Sequence, residues 1–377
     1  MLATHPRLKF RAAFAALALT LHLSASAMSS HLIFLGTYTK DGSQGIYAVQ
    51  LDAATGALSQ PTLAAQSPNP AWITFSPDKK FLYAIHESQA QAVGFAVDAA
   101  KATLTPLPAS PSPAAQPPAH LAVDATGRTL IAANYREGYV ASMPIHADGT
   151  LGAPVAIKHT GKGPNPARQD QPHTHSVTLS PDNRFAIICD LGLDKIFSYA
   201  LDPATAKLTP ATPPFVVTAP GAGPRHFKFG ADGKHAYAIN EMGGTIAAYD
   251  YTTATGSLTP RQTVPTLPAD FKGENTTAEI RIHPNGKFLY GSNRGHDSLA
   301  VFTIDAATGL LTPVEIVASG GKTPRNFALS PDGQWLVCAH QDSGNLTVFR
   351  VDPQSGRLTR TANEAKVPMC VCVLFYN

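Results

Sequence analysis

The chain has 377 residues, 44% of them hydrophobic and only 15% charged, with 29 Gly, 32 Pro and a formal net charge of +3. Sparse charge and abundant turn-formers argue against a helical protein and for a strand-rich one. The length would suit two average domains, but closed all-β folds run this large as single units.

At the N-terminus, Arg7, Lys9 and Arg11 precede an apolar run over 12–23 and the small residues Ala25-Ser26-Ala27. These are the three parts of a secretory signal, in order. The expectation is a signal peptide over 1–27 and a single domain over 28–377, periplasmic or secreted. Translation from Met28 is the alternative and would leave the protein cytoplasmic. Removing 1–27 deletes three cations and no acid, so the remainder has 26 Lys+Arg against 26 Asp+Glu and no net charge. A neutral protein has no electrostatic footprint for nucleic acid. No later run is long and apolar enough to span a bilayer.

From residue 32 onward one unit recurs seven times. Its most regular part is an apolar segment ending in polar residues, at 32–38, 81–87, 129–135, 185–191, 235–241, 288–294 and 335–341. The starts lie 49, 48, 56, 50, 53 and 47 residues apart. Before this segment comes an inner strand, as at 71–75, 175–179, 225–229, 279–282 and 325–329, and then a turn such as Ser180-Pro181-Asp182-Asn183 or Ser330-Pro331-Asp332-Gly333. Pro fixes φ, Asp and Asn bond back to the backbone, and Gly accepts positive φ. A third strand follows, as at 45–51 and 299–304, and then a second turn such as Asp305 to Gly309 or Asp352 to Gly356, leading to an outer strand. The Asp and Gly residues there are turn formers rather than ligands. Short strands at a period near fifty predict an all-β, seven-bladed β-propeller with four-stranded antiparallel blades. The first unit lacks its inner strand, and 367–373 matches the pattern of 70–75. The C-terminal strand is therefore expected to complete the first blade and close the ring.

Cys189, Cys338, Cys370 and Cys372 all lie in apolar strand patterns. Buried free thiols are expected, with a Cys189–Cys338 bridge as the alternative. Cys370 and Cys372 alternate and so should share a strand face. No zinc-type spacing is present.

The second strands end in Thr37-Tyr38, His86-Glu87, Asn134-Tyr135, Asp190-Leu191, Asn240-Glu241, Asn293-Arg294 and His340-Gln341. Polar residues at one register in all seven copies need a cause. Some should brace their own loops while their neighbours reach inward to a polar ring around one mouth. The inner strands add His173, His175, Arg225, His226 and Arg325. The cations and imidazoles thus fall in units four to seven, one arc of the ring.

The strings His173-Thr174-His175-Ser176, Gly223-Pro224-Arg225-His226, Ile239-Asn240-Glu241, Asn293-Arg294-Gly295-His296-Asp297 and Pro324-Arg325-Asn326-Phe327 resemble the seven-bladed propeller lactonase family. That family includes bacterial 6-phosphogluconolactonases of the propeller type and a fungal carboxy-muconate lactonising enzyme. The resemblance implies a site of one His, two Arg and one Glu, which fall on His175, Arg225, Glu241 and Arg294. His173, Asn293 and Arg325 join them as candidate substrate-binding residues. It further implies a small lactone substrate, no cofactor and no metal, and the chain is expected to be a monomer.

Such a set suits ester hydrolysis. Guanidinium groups stabilise a tetrahedral oxyanion or grip a phosphate or carboxylate. Glu241 is the favoured base with His175 as proton donor, the reverse assignment staying open. No nucleophile elbow is present, which argues against an acyl-enzyme. The competing readings are a structural ion-pair cluster, a muconate-type cycloisomerase and a non-catalytic binding propeller. The last would display aromatic residues on a rim, whereas Trp72 and Trp335 lie in apolar strand contexts.

Overall fold

The computed structural model describes residues 1–2, 30–86, 91–108 and 118–376. The candidate signal segment, apart from its first two residues, lies outside the described residues, as does Glu87. Among them, 28 strands pair into seven four-stranded antiparallel sheets. Blade 2 takes Ile73–Phe75, Phe81–His86, Gln91–Asp98 and Thr103–Pro106, and blade 3 takes His120–Val123, Thr129–Asn134, Tyr139–Pro144 and Val155–Lys158. Blade 4 runs through Thr174–Leu179, Phe185–Asp190, Lys195–Asp202 and Lys207–Val217, and blade 5 through Pro224–Phe229, His235–Asn240, Thr245–Thr252 and Ser257–Pro265. Blade 6 comprises Thr276–Ile282, Phe288–Arg294, Ser298–Ile304 and Leu311–Ala318, and blade 7 Pro324–Leu329, Trp335–His340, Asn345–Val351 and Leu358–Lys366. Blade 1 joins Cys370–Tyr376 to Ser30–Thr37, Gly45–Asp52 and Thr62–Gln66. Each innermost strand packs against the innermost strand on either side, all the way round.

Burial explains the strand patterns. Second strands such as Thr129–Asn134 and Trp335–His340 are buried throughout, sandwiched between neighbouring blades, and so read as continuous apolar runs. The outer strand Leu358–Lys366 instead alternates exposed and partly covered positions. The second strands of blades 2 to 7 begin at the residues the repeat predicts, and that of blade 1 begins at Ser30.

The acidic-Gly turns also join the blades. The Tyr290 hydroxyl of blade 6 donates to the Gly356 carbonyl of blade 7 at 2.9 Å, and Tyr237 of blade 5 does the same to Gly309 of blade 6 at 2.8 Å. Gly356 has φ +71°, and a Cβ there would lie 2.5 Å from the Phe288 ring. The position needs glycine both for its backbone and for this close approach.

The closing strand pairs antiparallel with Ser30–Thr37, and its Val373 amide donates to Asn326 Oδ1 of blade 7 at 2.9 Å. All four cysteines are free and buried. Cys370 and Cys372 do not share a face, contrary to the alternation argument. Cys370 packs towards blade 7 and Cys372 towards blade 2. The reason is a bulge: Cys372 pairs with Gly36 but Cys370 with Thr37, leaving Val371 as an extra residue that reverses the parity.

Deleting residues 367–377 should expose the edge of Ser30–Thr37 and abolish cooperative folding, read as loss of a sharp thermal transition. An unchanged melting curve would contradict closure by this strand. Tyr290→Phe should cost about 1 kcal/mol in a denaturant titration by stranding the Gly356 carbonyl.

Candidate active site

The bulge in blade 1 recurs in three blades that carry candidate site residues. In blade 4, Thr174 pairs with Asp190 and Ser176 with Cys189, so His175 is the extra residue. Arg225 holds that place in blade 5 and Arg325 in blade 7. A bulge re-aims one side chain without ending the strand. Here it turns His175, Arg225 and Arg325 into a cavity of about 470 Å³ at one mouth of the ring.

Glu241 sits one residue beyond the second strand of blade 5, its amide held by the Gly223 carbonyl at 2.7 Å. Its carboxylate collects three guanidinium groups. Arg225 Nε lies 2.8 Å and Arg294 Nη2 2.9 Å from Oε2, while Arg168 Nη2 lies 2.6 Å from Oε1. His175 Nε2 stands 3.9 Å from Oε2. Burial alone would raise the Glu241 pKa, but Arg294 and Arg225 outweigh it and hold the carboxyl well below its ordinary 4.5. Burial, then Arg294 and Arg325, push the Arg225 guanidinium down to about 9.

The imidazoles are neutral. Burial, followed by the charge of Arg225, keeps both His175 and His226 well below the ordinary 6.5. His175 Nδ1 is buried and has no hydrogen-bond partner, and His175 lines the cavity. Arg225 Nη1 lies 3.2 Å from His226 Nε2. A guanidinium only donates, so the proton of neutral His226 sits on Nδ1, facing Glu279 Oε2 at 3.3 Å. Beneath the mouth, Trp72 stacks on His120 with ring centroids 3.9 Å apart.

The cavity wall is lopsided. Among the described residues, Arg136, Arg168, Arg225, Arg294 and Arg325 line it against the single carboxylate of Glu241, a formal excess of four positive charges. Blades 1 to 3 contribute Val371, Ala71, Trp72, Ile85 and Ala119, with Tyr38, Tyr135 and Arg136 beside them. No cluster of three or more His, Cys, Asp or Glu able to hold a metal occurs among the described residues.

The paired polar strand ends divide as their alternation suggests. Tyr38, Tyr135, Glu241 and Arg294 line the cavity. Their predecessors Thr37, Asn134, Asn240 and Asn293 are buried, and Thr37 donates to the Gly45 carbonyl; in blade 4 the first member of the pair, Asp190, is likewise a buried brace, with Oδ2 2.6 Å from His159 Nδ1. Asn293 is such a brace. It accepts from Thr266 Oγ1 and donates to the Thr266 carbonyl and Ser298 Oγ, so its polar atoms are spent on its own blade and on the end of blade 5, and it does not line the cavity. His173 also stays out of the cavity wall. It stacks on Tyr135 at 4.5 Å, with Nδ1 2.8 Å from the Tyr135 carbonyl, so it supports the wall rather than forming it. Of the three candidate binding residues, only Arg325 faces the space.

Sequence reasoning missed Arg168, Arg136 and Trp72 as lining residues. Arg168 comes from the loop between blades 3 and 4 rather than from a strand. Its signal was the 56-residue interval, the longest in the series.

The model of the family described as lactonase, 7-bladed beta-propeller, matches residues 32–375. The chain belongs to that family. It is 37% identical over 307 residues to the 6-phosphogluconolactonase of Bacillus subtilis (strain 168), covering 80% of this chain and 85% of that protein. Among solved structures, the periplasmic gluconolactonase PpgL of Pseudomonas aeruginosa is 34% identical with a TM-score of 0.88, covering 93% of this chain and 99% of that one. A Lactobacillus plantarum protein is 35% identical with a TM-score of 0.86, covering 93% of this chain and 100% of that one.

The buried imidazoles of this lactonase-family propeller carry a pH consequence. His120, chiefly through burial, joins His175 and His226 in being held neutral well below 6.5. The unfolded chain takes up protons at these sites as pH falls through 6.5, whereas the native chain does not. The stability they confer is therefore present above 6.5 and lost below it, at up to about 4 kcal/mol per pH unit for three groups. Urea titrations should show stability falling from pH 6.5 to 5. A flat profile across that range would contradict the burial argument.

Proposed function

We propose that the protein hydrolyses an aldonolactone bearing an anionic group, with 6-phospho-D-glucono-1,5-lactone as the leading substrate. The observation that carries this reading is the excess of guanidinium groups beside a neutral, unpartnered imidazole in one cavity. The names of the Bacillus and Pseudomonas relatives support lactone chemistry, one with the phosphate and one without.

Protonation states favour His175 over Glu241 as the base. Glu241 has both oxygens committed to guanidinium groups and is held strongly ionised, which makes it a poor proton acceptor. His175 is neutral and lines the cavity, and its buried Nδ1 has no partner. In this reading the His175 imidazole takes the proton of the attacking water as the water oxygen bonds to the lactone carbonyl carbon. Glu241, 3.9 Å from Nε2, stabilises the imidazolium that forms. The carbonyl oxygen becomes an oxyanion facing Arg294, whose buried Nε has no partner, and Arg225. Collapse breaks the bond to the ring oxygen, and the imidazolium returns its proton to that oxygen. The product is the open hydroxy acid.

A muconate-type cycloisomerase would use the same guanidinium groups on a dicarboxylate. Consumption of a muconate without lactone hydrolysis would favour it. Export is also part of the proposal: residues 1–27 would be removed, so a mature chain beginning at Met28 should be recovered from the periplasmic or extracellular fraction and identified there by mass spectrometry. A chain retaining residues 1–27 would contradict this.

Purified protein should accelerate loss of 6-phosphogluconolactone above the spontaneous rate. His175→Asn and Arg294→Ala should each lower kcat/KM by about 100-fold or more. Full activity in both variants would overturn the site. Because the base stays unprotonated as pH falls through 6.5, kcat/KM for the unphosphorylated glucono-1,5-lactone, which has no group titrating in that range, should be flat from pH 8 to 6. An inflection at 6.5 would contradict the assignment.

A further inference from the structure

Arg168 is placed with unusual care for a loop residue. It lies in the segment joining Val155–Lys158 to Thr174–Leu179, where the amides of Arg168 and Gln169 both reach the Asn165 carbonyl, at 3.2 and 2.7 Å. The next residue anchors the turn. Gln169 is fully buried, and its Nε2 donates to the Leu191 carbonyl and to Asp194 Oδ1, both at 2.8 Å. Asp194 in turn accepts from the amides of Gly221 and Gly223 at 2.6 and 2.8 Å, in the loop that delivers Arg225. One buried carboxylate therefore sets the roots of Arg168 and Arg225 against each other, and the loop is a fixed bracket.

The three guanidinium groups on Glu241 are not equivalent. Arg225 and Arg294 share Oε2 with side chains 3% and 13% exposed, whereas Arg168 alone holds Oε1 and is 38% exposed. Arg168 uses only Nη2, on Glu241 and on the Tyr135 hydroxyl at 3.3 Å. Its Nε and Nη1 make no hydrogen bond among the described residues, and the side chain lines the cavity.

Position divides the labour. An oxyanion that forms transiently needs donors in a water-excluded place, which suits the deep Arg225 and Arg294. A permanent anion on the ligand needs a planar set of donors nearer solvent, which a guanidinium supplies bidentately. We propose that Arg168 contacts the substrate and reads its remote anionic group, a phosphoryl, from the solvent side of the Glu241 cluster. This rests on the lactonase reading for the identity of the rest of the ligand.

The test is calorimetric binding of the hydrolysis product and its unphosphorylated counterpart, 6-phosphogluconate and gluconate, to the full-length wild type, Arg168→Ala and Arg168→Lys. Arg168→Ala should weaken 6-phosphogluconate by about 10- to 100-fold, and by at least tenfold more than it weakens gluconate. Arg168→Lys should recover only part of the loss, because an ammonium cannot grip in a fork. Equal weakening of both ligands, no weakening of either, or no binding of 6-phosphogluconate to the wild type would overturn the assignment. Binding is read without turnover. A wild type that binds 6-phosphogluconate through Arg168 but never hydrolyses its lactone would refute the lactonase reading and leave Arg168 as an anion receptor.

Discussion

Everything at the mouth of this propeller depends on one buried carboxylate. Glu241 is 7% exposed at its side chain and carries three guanidinium groups, delivered by the loop before blade 4, by blade 5 and by blade 6. Like charges so close in a poorly solvated funnel repel strongly, and removing a central counter-ion from a buried cluster is severely destabilising. The carboxylate resolves that conflict, at the cost of its own basicity. In the proposed mechanism it then serves as a counter-ion that aims donors and stabilises a neighbouring imidazolium, and the proton work passes to His175.

The fold makes the assembly possible through a small irregularity repeated around the ring. An uninterrupted inner strand would alternate its side chains between the two neighbouring blades. One extra residue near the end of the strand breaks this parity and aims a side chain into the mouth. In blades 4, 5 and 7 the extra residue is His175, Arg225 or Arg325, while in blade 1 it is Val371. Ala71 and Ala119 line the cavity from blades 2 and 3. The same architectural device thus gives a charged wall on one arc and room for a ligand body on the other. The ring can hold so polar a centre because the blades are locked elsewhere, by apolar layers between sheets and by hydroxyl-to-carbonyl contacts such as Tyr290 to Gly356.

Much of this was legible in the sequence because it is periodic. Strand starts, acidic-Gly turns and the closing C-terminal strand all follow from repetition and from turn chemistry. The charged arc followed from registering seven strand ends against one another. What could not be read was local parity. The bulges leave no composition signature, so Cys370 and Cys372 were expected on one face, and His173 could not be told from His175. Asn293 and Arg294 are adjacent and both polar, yet one is consumed by Thr266 and Ser298 while the other reaches Glu241. Arg168 lay outside the repeat altogether, in a loop with its own bracing network.

The most direct test of the account is the crystal structure of Glu241→Gln. The account predicts an intact propeller in which Arg168 and Arg294 leave their present positions, since a neutral amide cannot hold three guanidinium groups together. A variant in which all three remain converged on residue 241 as they are now would contradict the claim that this single negative charge organises the site.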